Sequence, residues 1–216
     1  MVLFSENDKR ILRTHLSGMA DPVQLVFVKR DTMCPYCRET RDLLMEFAEI
    51  SDKIRVDVYD ADKDTGEINE LGIERVPAIA LLDHSLKDTG IRFYGMPGGY
   101  EIHSLLGAVL VVSKRQTGLP EDLVRQIRRV DTPLHIQTYV TPTCPYCPSV
   151  VRLIHKMAFL NPLIRADMIE VTEFPELGKE AGVKGVPKTI VNHLVDLEGA
   201  LPEDQFIYTI IKNINK

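Results

Sequence analysis

Hydrophobic and polar positions along the chain follow two periods, one typical of helices and one typical of buried strands. Apolar side chains recur at helical spacing over 5–17, where Ser5 is a candidate N-cap, and again from the first cysteine to about residue 50. By contrast, 23–28 is a nearly unbroken apolar run, which predicts a strand buried on both faces. Further strands are predicted over 54–59, 78–82, 91–94 and 189–194, and further helices over about 66–71, 101–115, 121–130 and 203–213.

The second half of the chain repeats the first at a distance of 110 residues. The box C-P-Y-C begins at Cys34 and again at Cys144, and the two boxes contain all four cysteines of the protein. The dipeptide V-P ends at Pro77 and again at Pro187, so each V-P step follows its own box by the same 43 residues. Two motifs that repeat in register indicate a duplicated structural unit.

Each half has the order strand, helix, strand, short helix, two strands, helix, and the boundary falls near 116–120. The sequence therefore predicts an α/β protein with two tandem domains, 1–117 and 118–216, each with a central mixed β-sheet flanked by helices.

Composition limits the classes of partner and of compartment. Hydrophobic residues make up 44% of the 216 residues, which supports a core, and the net charge of −5 without a basic run argues against nucleic-acid or anionic-membrane binding. No apolar run approaches the roughly 18 residues of a membrane helix, and the apolar start of the chain is short for a signal peptide. We therefore expect a cytoplasmic protein, in which C-x-x-C indicates redox or metal chemistry.

Each box lies between an apolar strand and an amphipathic helix, which is expected to place its first cysteine at the helix N-terminus. Backbone N–H groups and the helix dipole stabilise a thiolate there. The second cysteine, three residues later, lies on the same face and within disulfide reach. Cys34 and Cys144 are therefore the predicted nucleophiles, and Cys37 and Cys147 are predicted to resolve the mixed disulfide.

The V-P steps are the second predicted element of each site. A proline that follows valine and leads into a strand is a candidate for a cis peptide bond. The backbones of Val76-Pro77 and Val186-Pro187 would then face outward beside the cysteines and pair with an extended substrate strand. Tyr36 and Tyr146 are candidates for gating access to the sulfurs, although packing at the helix surface explains them equally well.

These motifs give each half a resemblance to a thioredoxin-fold domain, and C-P-Y-C is the glutaredoxin version of the active-site box. Two such halves in one chain resemble the protein disulfide oxidoreductases of thermophilic bacteria and archaea, relatives of protein disulfide isomerase. The resemblance implies an enzyme that reduces, forms or isomerises disulfides in protein substrates. It also implies that a thioredoxin-reductase-like flavoenzyme supplies the electrons, and that the two disulfides act without a further cofactor or metal.

Two departures from the thioredoxin pattern affect the chemistry. Met33 and Thr143 stand where thioredoxins carry tryptophan, and Val28 and Thr138 stand where they bury an aspartate. The group that accepts the proton of the resolving cysteine is therefore open.

The two boxes also differ from each other. Cys37 is followed by Arg38, a cation, whereas Cys147 is followed by Pro148. We hypothesise that the boxes have distinct reduction potentials, with electrons relayed between them. A tenfold difference in equilibrium needs only about 30 mV.

Several alternatives stay open at this point. The chain is also similar to the double thioredoxin fold of the alkyl hydroperoxide reductase flavoprotein, which implies an electron carrier to a peroxide-reducing enzyme. That fold keeps only one active box, whereas both are intact here. A glutathione-dependent glutaredoxin and a redox-inert binding or metal-sensing protein are the others. One four-cysteine zinc site is disfavoured because the pairs lie far apart in sequence. The histidines show no ligand-like spacing, and the helix over 101–115 is core and a candidate homodimer face.

Overall fold

The computed structural model describes residues 3–214, in which the chain forms eight strands and eight α-helices. The strands are β1 (Val23–Lys29), β2 (Ile54–Asp60), β3 (Ala78–Leu82), β4 (Asp88–Tyr94), β5 (Leu134–Val140), β6 (Ile164–Glu170), β7 (Lys188–Val191) and β8 (Val195–Glu198). The helices are α1 (Glu6–Leu16), α2 (Cys37–Ala48), α3 (Thr65–Glu70), α4 (Ile102–Lys114), α5 (Glu121–Arg128), α6 (Cys147–Leu160), α7 (Pro175–Glu180) and α8 (Glu203–Ile214).

The predicted elements are confirmed, with differences at some of their ends. The capping box of α1 forms as expected, since the side chains of Ser5 and Asp8 each accept from the other's backbone N–H. However, β4 begins three residues before the predicted 91–94. The predicted strand over 189–194 is wrong at its end, because Asn192 and His193 adopt positive φ angles of 49° and 59° and close a tight turn between β7 and β8.

All eight strands form one mixed sheet in the order β2-β1-β3-β4-β6-β5-β7-β8. The two predicted sheets are confirmed as halves of it, and they join where β4 pairs in parallel with β6. Because β3 runs antiparallel to both β1 and β4, and β6 runs parallel to both β4 and β5, strands β1 and β5 point the same way. The carboxyl ends of β1 and β5 therefore lie at the same end of the sheet, and each is followed by a box.

The repeat is offset by one residue in its first strand. Val23 pairs with Ile54 in the first half, and Leu134 pairs with Ile164 in the second. The offset is thus 111 residues for β1 and β5, but 110 for β2 and β6, for β3 and β7 and for the boxes. The loop before the first box is one residue longer, so Lys29 corresponds to Val140.

The two faces of the sheet carry different layers of helices. One continuous core joins alternate side chains of the strands to α1, α2, α4, α5, α6 and α8, and a smaller core packs the other face against α3 and α7. Phe27 and Val28, neighbours on β1, point into the larger and the smaller core respectively. Both box helices pack on the face that carries the larger core. The two sites therefore lie on the same face of the sheet and at the same end of its strands.

A buried ion pair fastens the seam between the halves. Arg165 on β6 donates to the carboxylate of Asp167 at 2.9 Å and, across the seam, to the carbonyl oxygen of Gly72 at 2.7 Å and the hydroxyl of Tyr94 at 2.6 Å. Asp167 is 2% exposed and lies 2.6 Å from Nε2 of His135. Burial alone would raise the pKa of Asp167, but the hydrogen bond with His135 and the charge of Arg165 outweigh it and lower that pKa.

We expect Asp167→Asn to destabilise the protein by about 2 kcal/mol at pH 7, because the half-buried Arg165 then loses the carboxylate that accepts its hydrogen bonds. The lowered pKa means that Asp167 contributes stability above its unfolded-state pKa and loses it as the pH falls through the folded-state value. The difference from the unmodified protein should therefore shrink in acid. Urea unfolding measures both effects. Glu203→Gln, which breaks the exposed pair with Lys156, serves as the control and should cost less than about 1 kcal/mol. Equal losses in the two variants would contradict the buried-pair explanation.

Candidate functional site

The first box forms a disulfide between Cys34 and Cys37, with the Cα atoms 5.4 Å apart. Helix α2 begins at Cys37, so Cys34 and Pro35 lie in the turn just before it, not within its first turn as the sequence predicted. That turn is closed by the N–H of Cys37, which donates to the carbonyl oxygen of Cys34 at 3.3 Å. Cys34 is partly exposed and Cys37 is buried. This is the arrangement that an attacking and a resolving cysteine require.

The second box repeats this geometry with less exposure. Cys144 and Cys147 form a disulfide with Cα atoms 5.5 Å apart, and α6 begins at Cys147. The N–H of Cys147 donates to Sγ of Cys144 at 3.1 Å. This bond supports the expectation that backbone donors stabilise negative charge on the first sulfur. Cys144 is 7% exposed and Cys147 is fully buried.

Both V-P steps have cis peptide bonds, as expected for Val76-Pro77 and Val186-Pro187. They lead into β3 and β7, the strands beside those that precede the boxes. The carbonyl oxygen of Val186 lies 3.7 Å from Sγ of Cys144. Both valines are partly exposed and both prolines are buried.

The two box tyrosines lie at the surface. Tyr36 is 41% exposed and Tyr146 is 68% exposed, and each occupies the N-cap position of its helix without a side-chain hydrogen bond to the backbone. A gating role stays a prediction.

Each cysteine is bonded within its own pair. Among residues 3–214, no group of three or more Cys, His, Asp or Glu side chains is arranged to hold a metal ion. Over the same residues, no helix is both long enough and apolar enough to cross a bilayer.

A buried carboxyl group beside the second box was not predicted. Glu101 lies in a short 3-10 turn, Gly99–Glu101, that belongs to the first half but packs against the second box. The N–H of Tyr100 donates to the carbonyl oxygen of Pro142 at 3.0 Å, and a Cβ at Gly99 would collide with that same oxygen. The turn therefore contacts the second box at Pro142, which lies two residues before Cys144 in the sequence.

Glu101 combines burial with an unused acceptor. One carboxyl oxygen accepts from the hydroxyl of Ser104 at 2.5 Å, and the other, Oε1, has no hydrogen-bond partner among the described residues. Burial raises the pKa of Glu101 to about 7, although the Ser104 hydrogen bond and the charge of Arg152 oppose the shift. A carboxyl group with a pKa near neutrality is suited to exchange protons at physiological pH.

The first site has charged surroundings instead. Lys29 pairs with Asp31 and with Asp60, whose carboxylate lies 3.1 Å from Nζ of Lys29 and 3.1 Å from Nζ of Lys63. A hydrogen bond from the backbone of Asp62, together with the two lysines, lowers the pKa of Asp60 strongly. Asp60 is therefore ionised at neutral pH, and its lowered pKa makes it too weak a base to take the proton of a thiol.

Comparison with known proteins agrees with this geometry. A family model described as a thioredoxin domain matches the chain twice, over residues 25–106 and 134–212. The chain is 31% identical to the alkyl hydroperoxide reductase protein AhpF of Escherichia coli over 88% of its own length and 34% of that protein's. It is 28% identical to the Pseudomonas aeruginosa protein of the same name over 96% of the chain and 37% of that protein. The chain thus spans about a third of the length of these relatives.

Two solved structures resemble the whole chain. A protein disulfide oxidoreductase from Aeropyrum pernix K1 superimposes with a TM-score of 0.92 at 28% identity, covering 100% of this chain and 96% of that one. The NTD_N/C domain of the alkylhydroperoxide reductase AhpF from Enterococcus faecalis gives a TM-score of 0.90 at 29% identity, with coverages of 95% and 98%.

Proposed function

This chain belongs to the thioredoxin-domain family, and we propose that it is a thiol–disulfide oxidoreductase that acts on protein disulfides through both boxes. One observation carries the proposal: each half holds a cysteine pair at the start of a helix, beside a V-P step that leads into the neighbouring strand. The likeness to a protein disulfide oxidoreductase along the whole chain supports it.

The reaction follows from the exposure of the sulfurs. In the reduced protein, the thiolate of Cys34 or Cys144 attacks a disulfide of the client, forms a mixed disulfide and releases one client thiolate. Cys37 or Cys147 then attacks the first cysteine, which re-forms the internal disulfide and releases the second client thiolate. Two electrons pass to the client, and the reverse sequence oxidises a client dithiol.

Client binding would use the exposed backbone beside each disulfide. The peptide groups of Val76-Pro77 and Val186-Pro187 would pair with an extended client segment. Tyr36 and Tyr146 would border the entry to the sulfurs.

Glu101 is the proposed proton acceptor of the second site. Deprotonating the buried Cys147 requires a nearby base. Glu101 is a buried carboxyl group on the turn that contacts Pro142, two residues before Cys144, and it has a free oxygen and a pKa of about 7. It would take the proton of Cys147 during resolution and return it in the reverse reaction.

The electrons would be carried by the two cysteine pairs without a further cofactor. We propose a cytoplasmic location, since C-x-x-C boxes cycle between states where thiols are kept reduced. The electron donor would be a thioredoxin-reductase-like flavoenzyme. Helix α4 lies in the core and exposes only His103 and Lys114, so it is a poor homodimer face; a homodimer through another surface stays a prediction.

Turnover of insulin disulfides with dithiothreitol as reductant tests the activity. The protein should accelerate the reaction well beyond the uncatalysed rate, and no acceleration would contradict the proposal. Cys37→Ala and Cys147→Ala each leave a mixed disulfide unresolved, so the two variants should trap clients covalently from a cell extract. Trapping that disappears with dithiothreitol would identify clients of each site.

A second candidate function is electron transfer to a peroxide-reducing enzyme. It is favoured by the similarity to AhpF proteins, which are parts of alkyl hydroperoxide reductases. The test mixes the reduced protein with a peroxide-reducing enzyme and peroxide, and measures how fast the protein is oxidised. Oxidation faster than its reaction with insulin would favour the electron carrier over the protein disulfide oxidoreductase.

A further inference from the structure

A cavity opens beside the first disulfide at the free edge of the sheet. Its volume is about 390 Å³, and both Cys34 and Cys37 line it. This is within the roughly 300–1,000 Å³ of small-molecule sites. We call this cavity, between β1, β2 and the start of α2, the edge pocket.

The edge pocket is lined by four cations and one anion, namely Lys29, Arg30, Arg38, Arg41 and Asp31. Lys29 is already paired with Asp31 and Asp60, and Arg30 is paired with Asp62 at 3.0 Å. Arg38 and Arg41, three residues apart on α2, make no ion pair with any described carboxylate. The pocket therefore presents two uncompensated positive charges next to a disulfide.

In the second half of the chain, the space equivalent to the edge pocket is filled by the protein itself. Arg38 and Arg41 correspond to Pro148 and Val151, both buried, and Val58 of β2 corresponds to Met168, which is fully buried. The second half is covered because β6 pairs with β4, which brings the turn Gly99–Glu101 over the second box. In the first half β2 is an edge strand, and Val58 is 38% exposed.

We propose that the edge pocket selects small disulfides and thiols that carry carboxylates, so that the first site, unlike the second, exchanges with anionic low-molecular-weight sulfur compounds. The ligand carboxylate lies against Arg38 and Arg41, and its sulfur meets Cys34. The inference rests on the proposed thiol–disulfide activity and assigns a substrate class to one of its two sites.

The exchange balances without another reagent. The thiolate of Cys34 attacks one sulfur of the small disulfide and displaces one carboxylate-bearing thiolate. Cys37 then attacks Sγ of Cys34, releases the second thiolate and leaves the Cys34–Cys37 disulfide. The two electrons of the protein dithiol end on the two released thiolates.

Single-site proteins and three aliphatic disulfides of different charge test the inference. One protein carries Cys144→Ser with Cys147→Ser and keeps the first site, and the other carries Cys34→Ser with Cys37→Ser and keeps the second. Each is reduced, freed of reductant and mixed at low ionic strength with anionic dithiodiglycolate, neutral hydroxyethyl disulfide or cationic cystamine. The compared quantity is the rate with a charged disulfide divided by the rate with neutral hydroxyethyl disulfide. For dithiodiglycolate we expect this ratio to be about tenfold higher at the first site than at the second. For cystamine we expect it to be lower at the first site. The preference should fade as salt screens the charges.

A pair of arginine variants locates the preference. Arg38→Gln with Arg41→Gln should bring the anion-to-neutral rate ratio of the first site close to that of the second. The matched control, Arg125→Gln with Arg128→Gln, removes two exposed arginines at the same spacing on α5 and should leave the ratio unchanged.

Different results would contradict the edge-pocket inference and the proposed thiol–disulfide activity. The edge-pocket inference is overturned if the anion-to-neutral rate ratio is equal at both sites, or if it persists without Arg38 and Arg41. Reaction with hydroxyethyl disulfide would show in either case that the dithiol is active. No reaction of either single-site protein with hydroxyethyl disulfide would overturn the proposed function and the inference together.

Discussion

Replacing both Cys34 and Cys144 with serine is expected to reduce insulin turnover to the rate of dithiothreitol alone, a loss of at least about a thousandfold. A hydroxyl group is not ionised near neutral pH and cannot take part in disulfide exchange, so neither box would retain a nucleophile. The measurement is the initial rate of insulin reduction at equal protein concentration.

The two single variants serve as controls for this loss. Each retains one complete box, so their rates should add up to that of the unmodified protein if the sites work independently. Equilibration of each variant with glutathione buffers gives the reduction potential of the remaining pair and tests the hypothesis of distinct potentials. Turnover in the double variant above the dithiothreitol rate would show that another group reacts, and potentials equal within error would end the hypothesis.

Glu101→Gln is expected to slow the second site about a hundredfold at pH 7 and to leave the first site unaffected. The amide keeps the shape of the carboxyl group but cannot accept the proton of Cys147, and general acid–base catalysis contributes about 10²–10⁴-fold. The measurement is the rate of mixed-disulfide resolution in each single-site protein. Below pH 6 the difference should narrow, because Glu101 itself becomes protonated.

The same substitution should stabilise the fold at alkaline pH. The pKa of Glu101 is about 7 in the folded protein and about 4.3 in the unfolded chain, so the folded state holds the extra proton between those values. Stability is therefore lost as the pH rises from about 4 to 7, up to about 3 kcal/mol. Glutamine does not ionise, so the variant should gain that amount at pH 8 and nothing at pH 4.

Glu173, in the loop after β6, provides a second carboxyl group with a raised pKa as a control. Burial raises its pKa to about 7, and the charges of Glu170 and Glu39 add to the shift, although the N–H of Met96 donates to its Oε1 at 2.7 Å. Glu173→Gln should also stabilise the protein at pH 8, by less because this group is partly solvated, while resolution at the second site stays unchanged. A loss of resolution rate equal to that of Glu101→Gln would assign the effect to general electrostatics.

The local signals of the sequence predict most of each half. Apolar periodicity locates the helices, and the repeated C-P-Y-C and V-P steps predict which residues meet, because their spacing is a property of one folding unit. Tight turns are harder to place, since Asn192 and His193 look like part of the preceding strand until their backbone angles are known.

Features that depend on contact between the halves could not be predicted. Nothing in the pattern of β4 shows that it pairs with β6, because an edge strand and a paired strand can have the same alternation. The burial of Glu101 depends on this pairing, and in the sequence it resembles any acidic residue at the start of a helix. The charges of Arg38 and Arg41 were visible, but their exposure follows only from the free edge at β2.

The parallel seam between β4 and β6 fixes the spacing of the two reactive sulfur pairs. Four strand intervals of about 4.8 Å put about 19 Å between β1 and β5, the strands that lead into the two pairs, which is too far for one pair to attack the other directly. An intramolecular relay therefore requires a carrier that visits both. A single unfolded client whose cysteines are about six extended residues apart would span that gap, and its second capture would benefit from the high effective concentration of a tethered chain. The duplication would thus favour clients whose cysteines lie at about this spacing.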